Sequence, residues 1–170
     1  HLWSPDSPYL YRVESRVKEG KNTLDGGITR AGIRKAEFKG KEGFWLNGKP
    51  FGQLIGANRH QDFAYVGNAL PNSGQWRDAK KLRDAGCRII RVAHYPQDPS
   101  FMDACDELGM FVEVEAPFCW AHETEVPEEK REIVLVNQHV EMVNLNRSHP
   151  SVIMWSMGNE PDTEHFPESA

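Results

Sequence analysis

From about residue 53 onward the chain alternates between apolar runs no longer than a strand and stretches with helical spacing. That alternation constrains the fold more than any other feature. The apolar runs are residues 53–57, 88–93, 110–115 and 151–157. Between them come Trp76, Ala79, Leu82 and Ala85, then Phe101, Cys105 and Leu108, then Ile133, Val136, Val140 and Val143, each set spaced for one face of a helix. Asp98 before Pro99 supplies a cap with proline at the first helical position, and Gly109 closes that helix. The expected order is therefore βαβαβαβ. Near-continuous hydrophobic strands such as Val152-Ile153-Met154-Trp155 read as buried on both faces, and crossover helices make such strands parallel.

Two architectures carry that order, an open doubly wound sheet and a (β/α) barrel, and the strand ends separate them. A nucleotide-binding doubly wound sheet has a glycine-rich turn after its first strand. Here the residues are Asn58-Arg59-His60-Gln61-Asp62. The other strands end in His94 and Tyr95, in Glu115, and in Asn159 and Glu160, the polar rim expected at the active face of a barrel enzyme. Four strands are half of what a barrel needs, so the expected fold is α/β, the first half of a (β/α)8 TIM barrel within a larger whole. Before it, residues 9–38 alternate in short bursts around breaks at Gly20 and Asp25-Gly26-Gly27 and read as antiparallel strands. Asn47-Gly48, between Phe44-Trp45-Leu46 and Phe51, signals a tight hairpin and the expected boundary.

Composition removes several classes. With 170 residues, 39% hydrophobic, the chain can bury a core, and a mean hydropathy of −0.62 with no run of about 18 apolar residues argues against a membrane span. Twenty Lys and Arg against 25 Asp and Glu, without a basic cluster, argue against nucleic acid. Cys87, Cys105 and Cys119 lack CxxC spacing and read as apolar filler, neither a disulfide framework nor a zinc site. His1-Leu2-Trp3-Ser4-Pro5 shows no secretory leader, so a soluble protein is expected, its compartment open between cytoplasm and periplasm.

Several residues could carry chemistry. Glu160 sits at the mouth of an apolar strand beside Asn159, where low polarity would raise a carboxyl pKa and keep a proton available to a general acid. The competing reading is a carboxylate at a helix N-terminus. Glu113 and Glu115 share one strand face opposite Val112 and Val114. Glu115 is either a structural carboxylate paired to Arg91 or a group that moves a proton. His60 and His94, with Arg91 and Tyr95, suit a polar substrate rich in hydroxyls, although single histidines at such places are commonly satisfied core residues. His149, before Pro150, fits a turn into the fourth strand, and His139 a polar helix face. His122-Glu123 lacks the second histidine of a zincin helix. Phe63, Tyr65, Phe118 and Trp120 follow strand ends, where they could stack on sugar rings or pack against neighbouring domains.

These segments together resemble glycoside hydrolase family 2, particularly its bacterial β-galactosidase branch. Leu2-Trp3-Ser4-Pro5, Pro8-Tyr9-Leu10-Tyr11 and Ala31-Gly32-Ile33-Arg34 are similar to the end of the immunoglobulin-like sandwich that precedes the family's barrel. Phe44 to Pro50, then Gly56-Ala57-Asn58-Arg59-His60-Gln61-Asp62, Ile90-Arg91-Val92-Ala93-His94-Tyr95-Pro96, Cys105-Asp106-Glu107-Leu108-Gly109 and the stretch from His149-Pro150 to Asn159-Glu160 follow its barrel motifs in order.

The resemblance implies residues 1–46 as the end of the sandwich and 47–170 as the first half of the barrel. It implies a retaining exo-β-glycosidase, a β-galactosidase first, with a β-glucuronidase or a non-catalytic carbohydrate-binding fragment as alternatives. Glu160 inherits the acid/base role, and the nucleophile falls on a later strand beyond residue 170. His60, His94 and Tyr95 inherit substrate contacts, Asn159 the hydroxyl beside the reacting carbon, Arg91 a charge partner near the nucleophile, and Glu115 a supporting place. Metal-using members carry a glutamate and a histidine where Cys119-Trp120-Ala121 stands, so no magnesium site and no other cofactor is expected. The expected partner is an oligosaccharide or β-glycoside, with a homo-oligomer possible.

Overall fold

The computed structural model describes residues 1–119 and 127–160. An antiparallel hairpin comes first, β1 (Tyr11–Glu19) against β2 (Asn22–Ala31), turning at Gly20-Lys21. The expected break at Asp25-Gly26-Gly27 is corrected: all three residues lie inside β2. Val17 pairs with Asp25 and Lys18 with Thr23, so a bulge takes up Leu24 and lets the two glycines remain in the ladder.

A small sheet follows, in the order β3 (Ala36–Phe38), β4 (Phe44–Leu46) and β5 (Lys49–Pro50). The Asn47-Gly48 turn holds φ 52° and φ 80°, the pair of positive angles that a two-residue hairpin favours.

The remaining elements follow the expected alternation: β6 (Gly56–Arg59), α1 (Asn72–Asp84), β7 (Ile89–Val92), α2 (Pro99–Leu108), β8 (Phe111–Glu115), α3 (Glu128–Asn146) and β9 (Val152–Ser156). The four strands form one parallel sheet in sequential order. The first strand lies three residues later than the apolar run suggested. Its outer half is Asn58-Arg59, and polar residues inside a strand hide it from a search for hydrophobic runs.

Helix α2 starts as its sequence dictates, with the Asp98 carboxylate accepting from Ser100 N at 2.8 Å. It ends at Gly109, φ 74°, where any Cβ would overlap the Pro5 carbonyl.

Register decides what each sheet face carries. Ile90, Val92, Val112 and Val114 point to the helices and join Phe101, Met102, Ala104, Cys105 and Met142 in the main core. At about 1.5–3 kcal/mol per buried large apolar side chain, that cluster is the principal stabilising element of the sheet. A second cluster of Trp3, Phe44, Leu46 and Phe111, with Ile89 and Ile153 against it, closes the N-terminal ends of β7 to β9. It joins the first segment to the parallel sheet, aided by Trp3 Nε1 donating to Asp106 O at 2.8 Å and Arg34 Nε donating to Pro150 O at 2.9 Å.

Two expectations of burial are corrected. Trp155 is 39% exposed because β9 has a neighbour on one side only among the described residues. Ile133, Val136 and Val140 are exposed, and α3 reaches the core through Met142 and Val143. An apolar stripe is buried only where a second layer faces it, and here that layer is the sheet beside the helix's C-terminal half. No helix among the described residues is long and apolar enough to cross a membrane.

His149 fixes the turn into β9, as expected. Its Nδ1 lies 2.6 Å from Asp106 Oδ2, and the other oxygen of Asp106 accepts from Ser151 N at 3.0 Å. Burial pulls the His149 pKa down, but the hydrogen bond and charge of Asp106, with Asp103 behind it, outweigh burial and raise it above the ordinary value. The stabilisation is thus complete below the unfolded value of about 6.5 and lost as pH rises through the higher folded value. We expect the thermal midpoint to fall between pH 6 and 8 by more in the parent than in His149→Gln. Parallel curves would show that the pair contributes nothing.

Candidate active site

The inward sheet face carries Asn58, Arg91, Glu113, Glu115, Met154 and Ser156, because in-register neighbours in a parallel sheet point the same way. Polar groups therefore accumulate at the C-terminal end of the sheet, opposite the aromatic cluster.

Glu115, the last residue of β8, has no exposed surface. Its Oε2 accepts from Arg91 Nε and from Ser156 Oγ, each at 2.7 Å, and its Oε1 lies 2.7 Å from His94 Nδ1. Burial pushes its pKa up, but the hydrogen bonds from Ser156, His94 and Arg91 and the guanidinium charge prevail and hold it below the ordinary value. Because that oxygen is ionised, His94 presents Nδ1–H to it. Arg91 Nη2, 3.4 Å from the same nitrogen, is then a neighbour rather than a donor. Half-buried Glu113 moves the other way: burial and the Glu115 charge raise its pKa against the pull of Arg91. One strand face thus holds two carboxyls pushed apart.

Asn159 is tied at every polar atom of its amide group and at its backbone nitrogen. Its Oδ1 accepts from Arg91 Nη2 at 3.0 Å, its Nδ2 lies 3.6 Å from Cys119 Sγ, and its N–H donates to Phe118 O at 2.8 Å. Gly158 permits that approach: at φ 152° the chain runs so close to the Phe118 carbonyl that a Cβ would overlap it. Glu160 follows directly, exposed, at φ 49°.

His60 is exposed and meets the His94 ring edge-on, centroids 4.9 Å apart. The Tyr95 hydroxyl accepts from Gln61 N at 3.1 Å, which ties the loops after β6 and β7 together, and the Ala93–His94 peptide is cis.

Of the candidates, Arg91, His94, Glu115 and Asn159 form one connected network, with His60 against its edge. Arg59, grouped with the strand-end residues from sequence, is 4% exposed and points to the helix side, bound to Asp78, Gln97 and Gln75 and stacked on Phe101. His139 Nε2–H donates to Met157 O at 2.9 Å, pinning α3 to the end of β9 rather than riding on a polar face. All three cysteines are free. Among the aromatics, Phe118 is buried, Phe63 half-buried and Tyr65 wholly exposed, while Trp120 and His122-Glu123 lie outside the described residues. Sequence reasoning missed Ser156 and Cys119 as members of the network. Their only signal was position beside Asn159, which appears once β8 and β9 are set in register.

Residues 37–168 match the sequence model of glycosyl hydrolases family 2, TIM barrel domain, and residues 1–34 match that of glycosyl hydrolases family 2. The chain belongs to glycosyl hydrolase family 2. Proteins similar to it include a putative beta-glucuronidase of Formosa agariphila, 39% identical over 96% of this chain and 20% of the relative, and a beta-galactosidase of Thermoanaerobacter pseudethanolicus, 39% identical over 96% and 22%. A solved structure, apo beta-glucuronidase 3 of Bacteroides uniformis, superposes with a TM-score of 0.86 at 34% identity, over 95% of this chain and 20% of that one. The chain thus spans about a fifth of the length of the curated relatives it matches.

Proposed function

We propose that the protein carrying this chain is a retaining exo-β-glycosidase acting on terminal β-galactosides, with Glu160 as its acid/base. The observation that carries this reading is Asn159-Glu160 at the mouth of β9, its amide clamped to Arg91 of β7 and to Cys119 just after β8. Glu160 protonates the glycosidic oxygen as the bond breaks, then takes a proton from the water that releases the sugar. Its left-handed backbone, costly for a non-glycine residue, fits a side chain held for function. Asn159, His94, His60 and Tyr95 line the sugar subsite.

The nucleophile belongs to a later strand, since a retaining pair stands about 5–5.5 Å apart at the open face. Glu115 is unsuited to attack because three donors already occupy its two buried oxygens. In the whole protein, residues 1–46 end an immunoglobulin-like sandwich and 47–170 open a (β/α)8 barrel, meeting at the Asn47-Gly48 turn. At the position of the metal-binding glutamate, Cys119 offers a thiol that poorly suits a hard cation, so the reading involves no magnesium there.

The second reading is a β-glucuronidase, favoured by relatives and solved structures with that name. A uronate needs a cation to spare, and the Arg91 guanidinium on this face is already engaged by Glu115, which supports the neutral sugar. The test is hydrolysis of 4-nitrophenyl β-galactoside and β-glucuronide by the whole protein, with the product anomer followed by NMR. We expect faster turnover of the galactoside and first release of the β anomer. Preference for the glucuronide overturns the sugar assignment, and binding without turnover of either overturns the enzyme reading.

A further inference from the structure

Glu115 has one donor more than its pairing with Arg91 and His94 requires. Arg91 and His94 both reach it from the β7 side, whereas Ser156, in register with Glu115, is the only donor on the β9 side among the described residues. The hydroxyl has two acceptors within range, Glu115 Oε2 at 2.7 Å and Gly158 O at 3.4 Å, and the short contact to an ionised oxygen takes the proton.

We infer that Ser156 is a positioning residue. By donating to Glu115 from β9 it fixes the carboxylate plane, through that plane the Arg91 guanidinium, and through Arg91 the amide of Asn159 beside Glu160. This inference deepens the glycosidase reading and rests on it. The orientation of the amide has a chemical consequence. With Oδ1 held by Arg91, Asn159 meets a substrate hydroxyl with an N–H donor, and a flipped amide would offer it an acceptor.

The test uses the whole protein and 4-nitrophenyl β-galactoside, well below the thermal midpoint. Ser156→Ala is expected to lower kcat/KM by about 10- to 100-fold, the scale of one hydrogen bond to a charged group. Ser156→Thr, which keeps the hydroxyl, should restore activity to within about 3-fold on that scale. In an Asn159→Ala background the Ser156→Ala change should cost less than about 2-fold, because the residue it acts through is gone.

An undiminished effect in that background, or a folded threonine variant without rescue, overturns the inference while leaving the glycosidase reading intact. Absence of parent activity on both glycosides overturns the glycosidase reading instead. The crystal structure of Ser156→Ala then decides the positioning claim: an Arg91–Asn159 contact still at 3.0 Å refutes it, and a displaced guanidinium supports it.

Discussion

If Glu160 is the acid/base proposed for the whole protein, Glu160→Gln is expected to lower kcat/KM on an alkyl β-galactoside by about 10²–10⁴-fold, the usual scale of general acid catalysis. A galactoside with a 2,4-dinitrophenolate leaving group loses far less in its first step. The difference follows from the leaving group: an alkoxide must be protonated as the bond breaks, and a stable phenolate need not be. The second step still lacks its base, so the activated substrate shows a burst followed by slow turnover, the signature of an accumulated glycosyl-enzyme. Azide, which attacks without a proton transfer, should restore turnover and yield the β-galactosyl azide. Equal losses on both substrates, with no burst, would remove Glu160 from the acid role and leave it a binding residue.

The sequence was legible where its signals were local. The cap Asp98-Pro99, the stop at Gly109 and the Asn47-Gly48 turn depend on neighbours a few residues apart, and each forms as the pattern predicts. The strand order was legible too, because hydrophobic runs and helical periods alternate with the spacing that parallel crossovers need. Whatever depends on register was not. Arg59 and Asn58 are adjacent in sequence and point to opposite faces of β6, so one enters a buried cluster among the helices while the other stays on the inward face. Ser156 looked like an ordinary strand residue until pairing set it opposite Glu115. The Asp25-Gly26-Gly27 stretch looked like a turn because glycine weakens a strand locally, and only the partner strand with its bulge shows how the ladder tolerates it. Exposed Trp155 and Val140 mark the other limit: apolar patterning records that a face is to be covered, not which element covers it.

The second large effect is expected at Glu115. Glu115→Gln keeps the shape but places an NH2 group against one of two sets of donors, either His94 Nδ1–H or Arg91 and Ser156, and leaves the guanidinium without its counter-charge. Breaking a buried pair by removing one partner costs about 3–5 kcal/mol, and the partial exposure of Arg91 puts the expected loss at about 3 kcal/mol. Its pH dependence identifies the cause. A carboxyl whose folded pKa is depressed contributes stability that is present above the unfolded value, about 4.3, and lost as pH falls through the lower folded value. The parent should therefore lose its advantage over Glu115→Gln progressively below about pH 4.3, and the two thermal midpoints should converge in acid. Glu113 opposes this trend, since its raised pKa makes the folded state weaker as that carboxyl ionises at higher pH. Repeating the comparison in a Glu113→Gln background removes the opposing contribution. If the gap between parent and Glu115→Gln stays constant with pH there, the cost is one of shape rather than of charge, and the ionised hub at the end of β8 is refuted.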